Sequence, residues 1–277
     1  MYHYHMPSAS TNYALNLIKL FHGQQLLNPL IVTYYVTTWC NLNCTYCEDF
    51  GSRRNAQNLP PLSLDDSLHI LKVIRSATDQ VILTGGEPLL HPQIDELVAR
   101  AHNEIKLKLT MLTNAALLHE HEDVLPHIRR LVISLDSIDT AFWSTVIQAK
   151  PNTANRILEN ITHYAALQHK LGYRMIINCV ISPNTLSGVP DVLNFCKQHN
   201  LLVSFSPQAV MNWPNYDLLV SPEYKSLVAN RIEEKKHGAP ILGSMPYLKT
   251  MLTFYPYACY PTLAPRIMPN GDLSYPC

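Results

Sequence analysis

The sequence predicts an α/β fold, a partial (β/α)6 TIM-like barrel followed by a small C-terminal appendage. Short β-rich apolar runs alternate with amphipathic helical stretches over residues 30–206. Alternation of this kind is typical of a parallel sheet with right-handed crossovers. Six such units are too few for a closed eight-stranded barrel, which takes about 250 residues, so we expect an open barrel. After residue 206 the alternation ends.

The predicted strands are short apolar runs rich in β-branched and aromatic residues. The first of them reads LIVTYYVTT, and the others share its character. The predicted strands cover residues 30–38, 80–84, 105–113, 130–136, 174–182 and 201–206.

Apolar residues at helical spacing predict the helices between these strands. Ser63 is a candidate N-cap, and Gly172 and Gly238 are the expected ends of two later helices. A weaker helical pattern runs from the third strand to about His127. The predicted helices cover residues 11–22, 62–77, 91–102, 152–172, 189–200 and 222–237.

The chain of 277 residues is expected to divide into three parts. Residues 1–29 form a helical extension and residues 30–206 form the barrel. Residues 207–277 form a helix followed by a segment rich in proline and tyrosine. Within that segment, MPNGDLSYPC at 268–277 places an Asn-Gly turn between strand-like flanks, which predicts a hairpin.

Composition excludes several function classes. Lys and Arg number 21, as do Asp and Glu, so the net charge is zero. This balance argues against a nucleic-acid surface and against binding to anionic membranes. No apolar run reaches about 18 residues, so no membrane span is expected. The N-terminal MYHYHMPSAS lacks the pattern of a secretory signal, which predicts a cytoplasmic location where thiols stay reduced.

Three of the seven cysteines lie together in TTWCNLNCTYCEDF, just after the first strand. In α/β barrels the loops at the carboxyl ends of the strands build the active site. A zinc site would need a second pair of ligands, and no such pair lies nearby in the sequence. Three thiolates on one short loop suit a cubane iron–sulfur cluster with one open iron. Packing or zinc binding by Cys40, Cys44 and Cys47 is the alternative.

The spacing Cys40-x-x-x-Cys44-x-Tyr46-Cys47 resembles the signature of the radical S-adenosylmethionine superfamily, which also has an aromatic residue before the third cysteine. The resemblance implies a [4Fe-4S] cluster on the three cysteines. It also implies that the open iron chelates the amino and carboxylate groups of S-adenosylmethionine. An electron donor such as flavodoxin or ferredoxin is implied as a partner.

Two later strand ends carry motifs similar to those of the same family. LTGGEPLL resembles its Gly-Gly-Glu-Pro motif, so Gly85, Gly86 and Glu87 are expected around the methionine ammonium. Glycines allow close backbone approach, and a carboxylate accepts hydrogen bonds from a cationic amine. LTNA resembles the family's Thr-Asn-Gly, with Ala115 in the glycine position, and makes Asn114 a candidate ligand. Ordinary turns are the alternative for both motifs.

The stretch VISLDSID at the fourth strand end is similar to one in which a serine contacts S-adenosylmethionine. Ser134 is therefore a candidate ligand, whereas Asp136 could instead cap a helix, as could Asp139. Some relatives place an arginine about a dozen residues later for the carboxylate. Here Lys150 and Arg156 are the substitutes to consider.

The fifth strand, INCVIS, contains one polar residue in an apolar run. Asn178 is a candidate nucleoside contact, with a structural hydrogen bond as the commoner alternative. Backbone near Val180 is a candidate adenine contact. Cys179 and Cys196 fit small core residues.

The tail CYPTLAPRIMPNGDLSYPC resembles the start of a SPASM or twitch extension, which holds auxiliary iron–sulfur clusters. Cys259 and Cys277 are the candidate ligands of an auxiliary cluster. The spacing after Gly271 is one residue longer than usual, and a hairpin without a cluster is the alternative.

The resemblance therefore implies a radical enzyme that abstracts hydrogen from a peptide or small metabolite. Its class, whether oxidoreductase, lyase or transferase, is left open. A non-catalytic cluster-binding regulator on a degenerate barrel is the rival. A zinc-dependent hydrolase would need His or carboxylate ligands at strand ends, and the sequence shows none so arranged.

Overall fold

A computed structural model describes residues 6–47, 60–210, 213–256 and 258–275. Strands and helices alternate along most of it. In chain order the strands are β1 Val32–Thr37, β2 Gln80–Gly85, β3 Lys108–Thr113, β4 Ile128–Ser134, β5 Arg174–Ile181, β6 Leu202–Pro207, β7 Ala209–Val210, β8 Trp213–Pro214, β9 Arg266–Ile267 and β10 Leu273–Ser274. The α-helices are α1 Ala9–Phe21, α2 Leu64–Ala77, α3 Ile94–Asn103, α4 Thr140–Val146, α5 Pro151–Leu171, α6 Val189–Gln198, α7 Tyr216–Val220, α8 Pro222–Lys236 and α9 Met245–Leu252.

The main sheet has the order β10-β9-β1-β2-β3-β4-β5-β6. Strands β1 to β6 all run parallel, each beside the next in sequence. This arrangement confirms the predicted α/β class and is consistent with a partial TIM-like barrel. Because the strands are parallel, all six of their carboxyl ends meet at one edge of the sheet.

The core lies between the sheet and the helices that cross over it. Tyr34, Leu83, Met111 and Leu131 are fully buried on neighbouring strands. Helix α2 buries Ser67, Leu68, Leu71 and Ile74, which fall on one face, and α3, α5 and α6 each bury one stripe in the same way. Burial of one stripe of each helix fixes the sheet's position and leaves its carboxyl edge to the loops.

Helix ends follow the local chemistry that the sequence indicated. The Ser63 hydroxyl accepts a hydrogen bond from the Asp66 amide at the start of α2. Gly172, with φ of 79°, ends α5 in the left-handed conformation. Both cap assignments are confirmed.

Two segments differ from the sequence-based expectation. The weak helical pattern before His127 forms two short 3-10 turns, Leu118–Glu120 and Glu122–His127, because Pro126 lacks the amide that an α-helix needs there. Helix α4 was not predicted. It has seven residues, too few for a periodic pattern, and Asp139 caps it by accepting from the Ala141 and Phe142 amides.

The tail hairpin forms, and it also extends the sheet. Strands β9 and β10 pair antiparallel, and β9 pairs parallel with β1. The amides of Leu30 and Thr33 donate to the carbonyls of Leu263 and Pro265. The tail therefore covers the β1 edge of the open barrel. None of the helices in the described part of the chain is both long and apolar enough to cross a bilayer.

The end of β2 lies in direct contact with the end of β1. The Gly86 amide donates to the Thr37 carbonyl at 3.0 Å, and the Glu87 amide donates to the Trp39 carbonyl at 2.6 Å. A Cβ atom on Gly86 would lie 2.1 Å from the Trp39 carbonyl oxygen, and one on Gly85 would lie 2.3 Å from that of Thr37. Only glycine permits this approach.

We therefore expect Gly86→Ala to destabilise the fold by at least about 3 kcal/mol, because backbone rather than a mobile side chain must move. Gly188→Ala is the matched control, since its Cβ would meet Ser137 Oγ at an ordinary 3.5 Å. The control should change stability by no more than about 0.5 kcal/mol. Urea unfolding of both variants measures this, and equal stabilities would contradict the contact.

Candidate active site

A cavity of about 400 Å³ opens at the carboxyl edge of the sheet, within the size range of small-molecule sites. It draws its walls from the loop after β1, the ends of β2, β3 and β4, helix α4, and the tail. The lining residues are Cys40, Leu42, Cys44, Tyr46, Cys47, Thr84, Gly85, Gly86, Leu112, Thr113, Asn114, Ser134, Trp143, Ile147, Ala209 and Arg266.

The cysteine loop, residues 40–47, is held by backbone contacts with α4. The Asn43 amide donates to the Ile147 carbonyl at 3.1 Å, and the Thr45 amide donates to the Val146 carbonyl at 2.8 Å. The Cys47 amide donates to the Cys44 carbonyl at 3.1 Å, which closes a tight turn. The loop therefore presents its three cysteines to the cavity from a fixed backbone.

The three thiols differ in exposure. Cys40 and Cys44 are partly buried, whereas Cys47 is exposed. Burial raises the pKa of Cys40 to about 11 and that of Cys44 to about 12. Both are therefore thiols at neutral pH, and a metal that binds them must displace their protons.

The cysteine donor set suits a cluster better than a single ion. In the ranges that the structure describes, no three His, Cys, Asp or Glu side chains are arranged to hold one metal ion. The thiolates of a cubane bind different irons and need not converge on one point. Three cysteines around one cavity fit that donor pattern.

Tyr46 is tied to the neighbouring strands through a buried carboxylate. Its hydroxyl donates to Asp136 Oδ2 at 2.5 Å, and the Val180 amide donates to Asp136 Oδ1 at 2.7 Å. Asp136 is fully buried, and this burial raises its pKa to about 6. Asp136 thus joins the cysteine loop to the ends of β4 and β5, a contact that the sequence did not indicate. The Val180 amide, a candidate adenine contact, already donates its hydrogen bond to Asp136.

Glu87 is also fully buried, and it does not line the cavity. Its carboxylate accepts hydrogen bonds from the Leu89 amide at 3.1 Å, the Thr113 hydroxyl at 2.6 Å and the Asn114 amide at 2.8 Å. The side chain joins the end of β2 to the end of β3. A role towards the methionine ammonium stays a prediction, and it would run through the adjoining glycine backbone, which does line the cavity.

Asn114 lies between these two networks. Its side-chain amide donates to Asn41 Oδ1 at 2.7 Å, inside the cysteine loop, and the residue lines the cavity. Ala115, in the glycine position of the motif, has φ of 62°. Ser134 lines the cavity as well. The structure therefore brings the candidate residues of β1, β2, β3 and β4 together.

The other candidates lie elsewhere. Asn178 Oδ1 accepts from the Ser206 hydroxyl at 3.0 Å, which is the structural hydrogen bond considered above, and Asn178 does not line the cavity. Lys150 and Arg156 are exposed at the start of α5 and do not line it either. No substitute for the missing arginine comes from that helix.

The remaining cysteines have separate places. Cys179 and Cys196 are fully buried in the core, as predicted. Cys259 is exposed and disulfide-bonded, so it offers no free thiolate in this structure. Cys277 lies outside the described residues. An auxiliary cluster on the tail stays a prediction.

Arg266 is a lining residue that the sequence did not reveal. Strand β9 pairs Arg266 with Thr33, near the amino end of β1, and Arg266 lines the cavity from this edge strand. It is the only Lys or Arg among the lining residues, and its guanidinium has no hydrogen-bond or ion-pair partner within the described parts of the chain. The position of Arg266 depends on the pairing of β9 with β1, two segments far apart in sequence, and no local sequence pattern predicts that pairing.

Comparison with known proteins agrees with this geometry. The model of the Radical SAM superfamily matches residues 34–196, more than half of the chain. A GTP 3′,8-cyclase of Rhodococcus opacus is 27% identical over 212 residues, which are 73% of this chain and 59% of that protein. A GTP 3′,8-cyclase of Aliarcobacter butzleri is 31% identical over 177 residues, 61% of this chain and 52% of that protein. The chain thus spans less than two thirds of these relatives.

Two solved structures share the fold. Streptococcus suis SuiB bound to S-adenosylmethionine superimposes with a TM-score of 0.70 at 21% identity, covering 97% of this chain and 65% of SuiB. The protein anSMEcpe with bound AdoMet gives a TM-score of 0.61 at 19% identity, covering 90% of this chain and 74% of its own.

Burial of Glu87 predicts a pH dependence of stability. Burial raises the pKa of Glu87 from 4.5 to about 6, so between these values the folded chain binds more protons than the unfolded chain. The contribution of protonated Glu87 to the free energy of unfolding is therefore fully present below pH 4.5 and is lost as the pH rises through 6. One pKa unit corresponds to about 1.4 kcal/mol, so the loss is about 2 kcal/mol.

Asp136 titrates in the same window, so Glu87→Gln should remove roughly half of the fall in stability between pH 4.5 and 7. Urea unfolding of the metal-free chain at several pH values measures it. If stability falls with pH as steeply in Glu87→Gln as in the wild type, Glu87 does not titrate between pH 4.5 and 7.

Proposed function

Because the chain belongs to the radical S-adenosylmethionine superfamily, we propose that Cys40, Cys44 and Cys47 bind the [4Fe-4S] cluster and that S-adenosylmethionine lies beside it in the cavity. The protein is an enzyme of the radical SAM class. When bound, these cofactors supply a 5′-deoxyadenosyl radical that abstracts hydrogen from the substrate. The single observation that supports this assignment is the presence of all three thiols, with the Gly85–Gly86 backbone, around one cavity.

The protein's part is to fix positions and exclude water. Backbone hydrogen bonds from α4 hold the cysteine loop, and Tyr46 ties the same loop to Asp136. Gly85 and Gly86 let the end of β2 pack directly against the end of β1, and their backbone forms part of the cavity wall. Asn114 and Ser134 add polar groups to the cavity wall, which suits the polar groups of S-adenosylmethionine.

Several apolar side chains also line the cavity. Leu42, Leu112, Trp143 and Ile147 line the cavity, and Trp143 and Ile147 are almost fully buried. A dry cavity protects a reactive carbon radical from side reactions. Cys47 is exposed, so we propose that an external donor of the flavodoxin or ferredoxin type delivers the electron at this side.

We propose an anionic small molecule as substrate, with GTP as the first candidate. The curated relatives carry the name GTP 3′,8-cyclase. A nucleoside triphosphate needs cations in its site, and Arg266 supplies a guanidinium at the cavity wall that pairs with no group in the described parts of the chain. A guanidinium binds phosphate or carboxylate oxygens in a bidentate manner. A non-catalytic cluster-binding protein remains the rival that the next experiments separate.

Replacing Cys40, Cys44 or Cys47 singly by alanine should abolish 5′-deoxyadenosine formation, because three thiolates are needed to hold the cluster. Cys196→Ala is the control, since this thiol lies in the core of α6, away from the cavity. Anaerobic reconstitution followed by product analysis and iron content measures both. Wild-type cleavage in any of the three variants would refute the assignment, and inactive wild-type enzyme with an intact cluster would favour the regulator.

Arg266→Gln should weaken GTP binding about 10- to 150-fold, because a hydrogen bond between charged groups contributes about 1.5–3 kcal/mol. S-adenosylmethionine binding should change much less, since Asn114, Ser134 and the glycine backbone remain. Arg156→Gln, an exposed change on α5, is the control. Calorimetric titration of the cluster-loaded protein with each ligand tests this. A loss confined to S-adenosylmethionine would instead place Arg266 on its carboxylate.

A further inference from the structure

Helix α1 contacts the rest of the protein through its polar side. Asn12 and Asn16 are its only buried residues. The Asn12 side-chain amide donates to the carbonyls of Pro29 at 2.7 Å and Ala77 at 2.8 Å. Asn16 donates to the Asn28 carbonyl at 2.9 Å and accepts from the Asn28 amide at 2.8 Å. Satisfied amides therefore fix the helix, with no apolar side chain of α1 buried beneath it.

The opposite side of α1 is apolar and open to solvent. Successive residues of a helix are about 100° apart, so Tyr13, Leu17 and Phe21 lie along one stripe that begins beside the buried asparagines at Tyr13 and turns away from them at Leu17 and Phe21. Their exposed fractions are 58%, 52% and 88%. The stripe is extended on both sides and beyond the helix by Leu15, Ile18, Leu20 and Leu26, which are also exposed.

This order is the reverse of an ordinary surface helix, which turns its apolar stripe to the core. Phe21 and Tyr13 together expose on the order of 300 Å², given that a buried aromatic side chain covers about 150–250 Å². The aliphatic residues add a comparable area. The patch therefore exceeds the roughly 300–600 Å² of a typical monomer and approaches the roughly 800 Å² per partner of a stable interface.

We propose that this face of α1 packs against the same face of a second copy of the chain, as a two-fold symmetric dimer. A two-fold interface joins the same face of both copies, so a charge on that face would be buried twice, and a face that pairs with itself is favoured when it carries none. Lys19 is the only charged residue of α1, and its ammonium group is turned to Asn28 Oδ1 at 2.7 Å and the Leu26 carbonyl at 3.2 Å. The face is therefore apolar and free of charge repulsion.

A lipid surface fits the same helix less well. Helices that lie on membranes carry several Lys and Arg residues on the polar face, and α1 has one lysine that already has partners. The chain's net charge of zero adds no general attraction to anionic lipid.

The position of α1 allows a dimer with two open cavities. Its partners Pro29, Ala77 and Asp79 precede β1 and β2, at the amino edge of the sheet. The cavity lies at the carboxyl edge. Pairing through α1 therefore leaves both cavity mouths free for ligands.

The test is sedimentation equilibrium of the full, cluster-loaded chain over a broad concentration range. The wild type should form a dimer, and Leu17→Glu and Phe21→Glu should each weaken it at least about 100-fold, because each copy would then bury an unpaired carboxylate in an apolar interface. Leu219→Glu, at an exposed leucine of α7 on the β6 side, is the matched control and should still dimerise.

Iron content and far-UV circular dichroism should match the wild type in all variants, which separates loss of the dimer from misfolding. A wild type that stays monomeric, or a dimer that persists in both α1 variants, overturns the proposal. Co-sedimentation of the wild type with phosphatidylcholine–phosphatidylglycerol vesicles, lost in Leu17→Glu, would also overturn it and assign the face to lipid.

Discussion

The site depends on the direct backbone contact between the end of β2 and the end of β1. Two backbone hydrogen bonds join Gly86 to Thr37 and Glu87 to Trp39, and no side chain fits between them. Because the cysteine loop begins at the residue after Trp39, its first thiol is set by this contact. The glycines are thus required by the contact between the two strand ends, and their backbone also lines the cavity.

Two buried carboxylates extend this contact across the sheet. Glu87 joins β2 to β3, and Asn114 carries the connection back to Asn41 in the cysteine loop. Asp136 joins β4 and β5 to Tyr46 in the same loop. A buried carboxylate is costly unless donors surround it, and here hydroxyl and backbone donors do so. These bonds add to the backbone contacts with α4 in holding the loop that carries the three cysteines.

The sequence predicted the features that local residue patterns determine, namely the strands and the residues at their ends. Strand runs and parallel topology bring Cys40, Gly86, Asn114 and Ser134 to one edge, since each follows a strand. Local patterns could not give the direction of the Glu87 side chain, which depends on the end of a neighbouring strand. The position of Arg266 was also not predictable from local patterns, because it depends on the pairing of β9 with β1. The reversal of α1 was hidden for the same reason: apolar residues at helical spacing predict the helix but not which side meets the protein.

The lining residues of the cavity divide into those inside the family-model match and those outside it. The family model matches residues 34–196, which include every lining residue except Ala209 and Arg266. The matched part supplies the three thiols and the glycine backbone, which suit chemistry common to the family. The two outer residues come from the segment after β6 and from the tail that covers the open edge of the barrel. Arg266, the residue proposed to bind the anionic substrate, therefore comes from the tail, whereas the residues proposed to hold the cluster and S-adenosylmethionine come from the barrel.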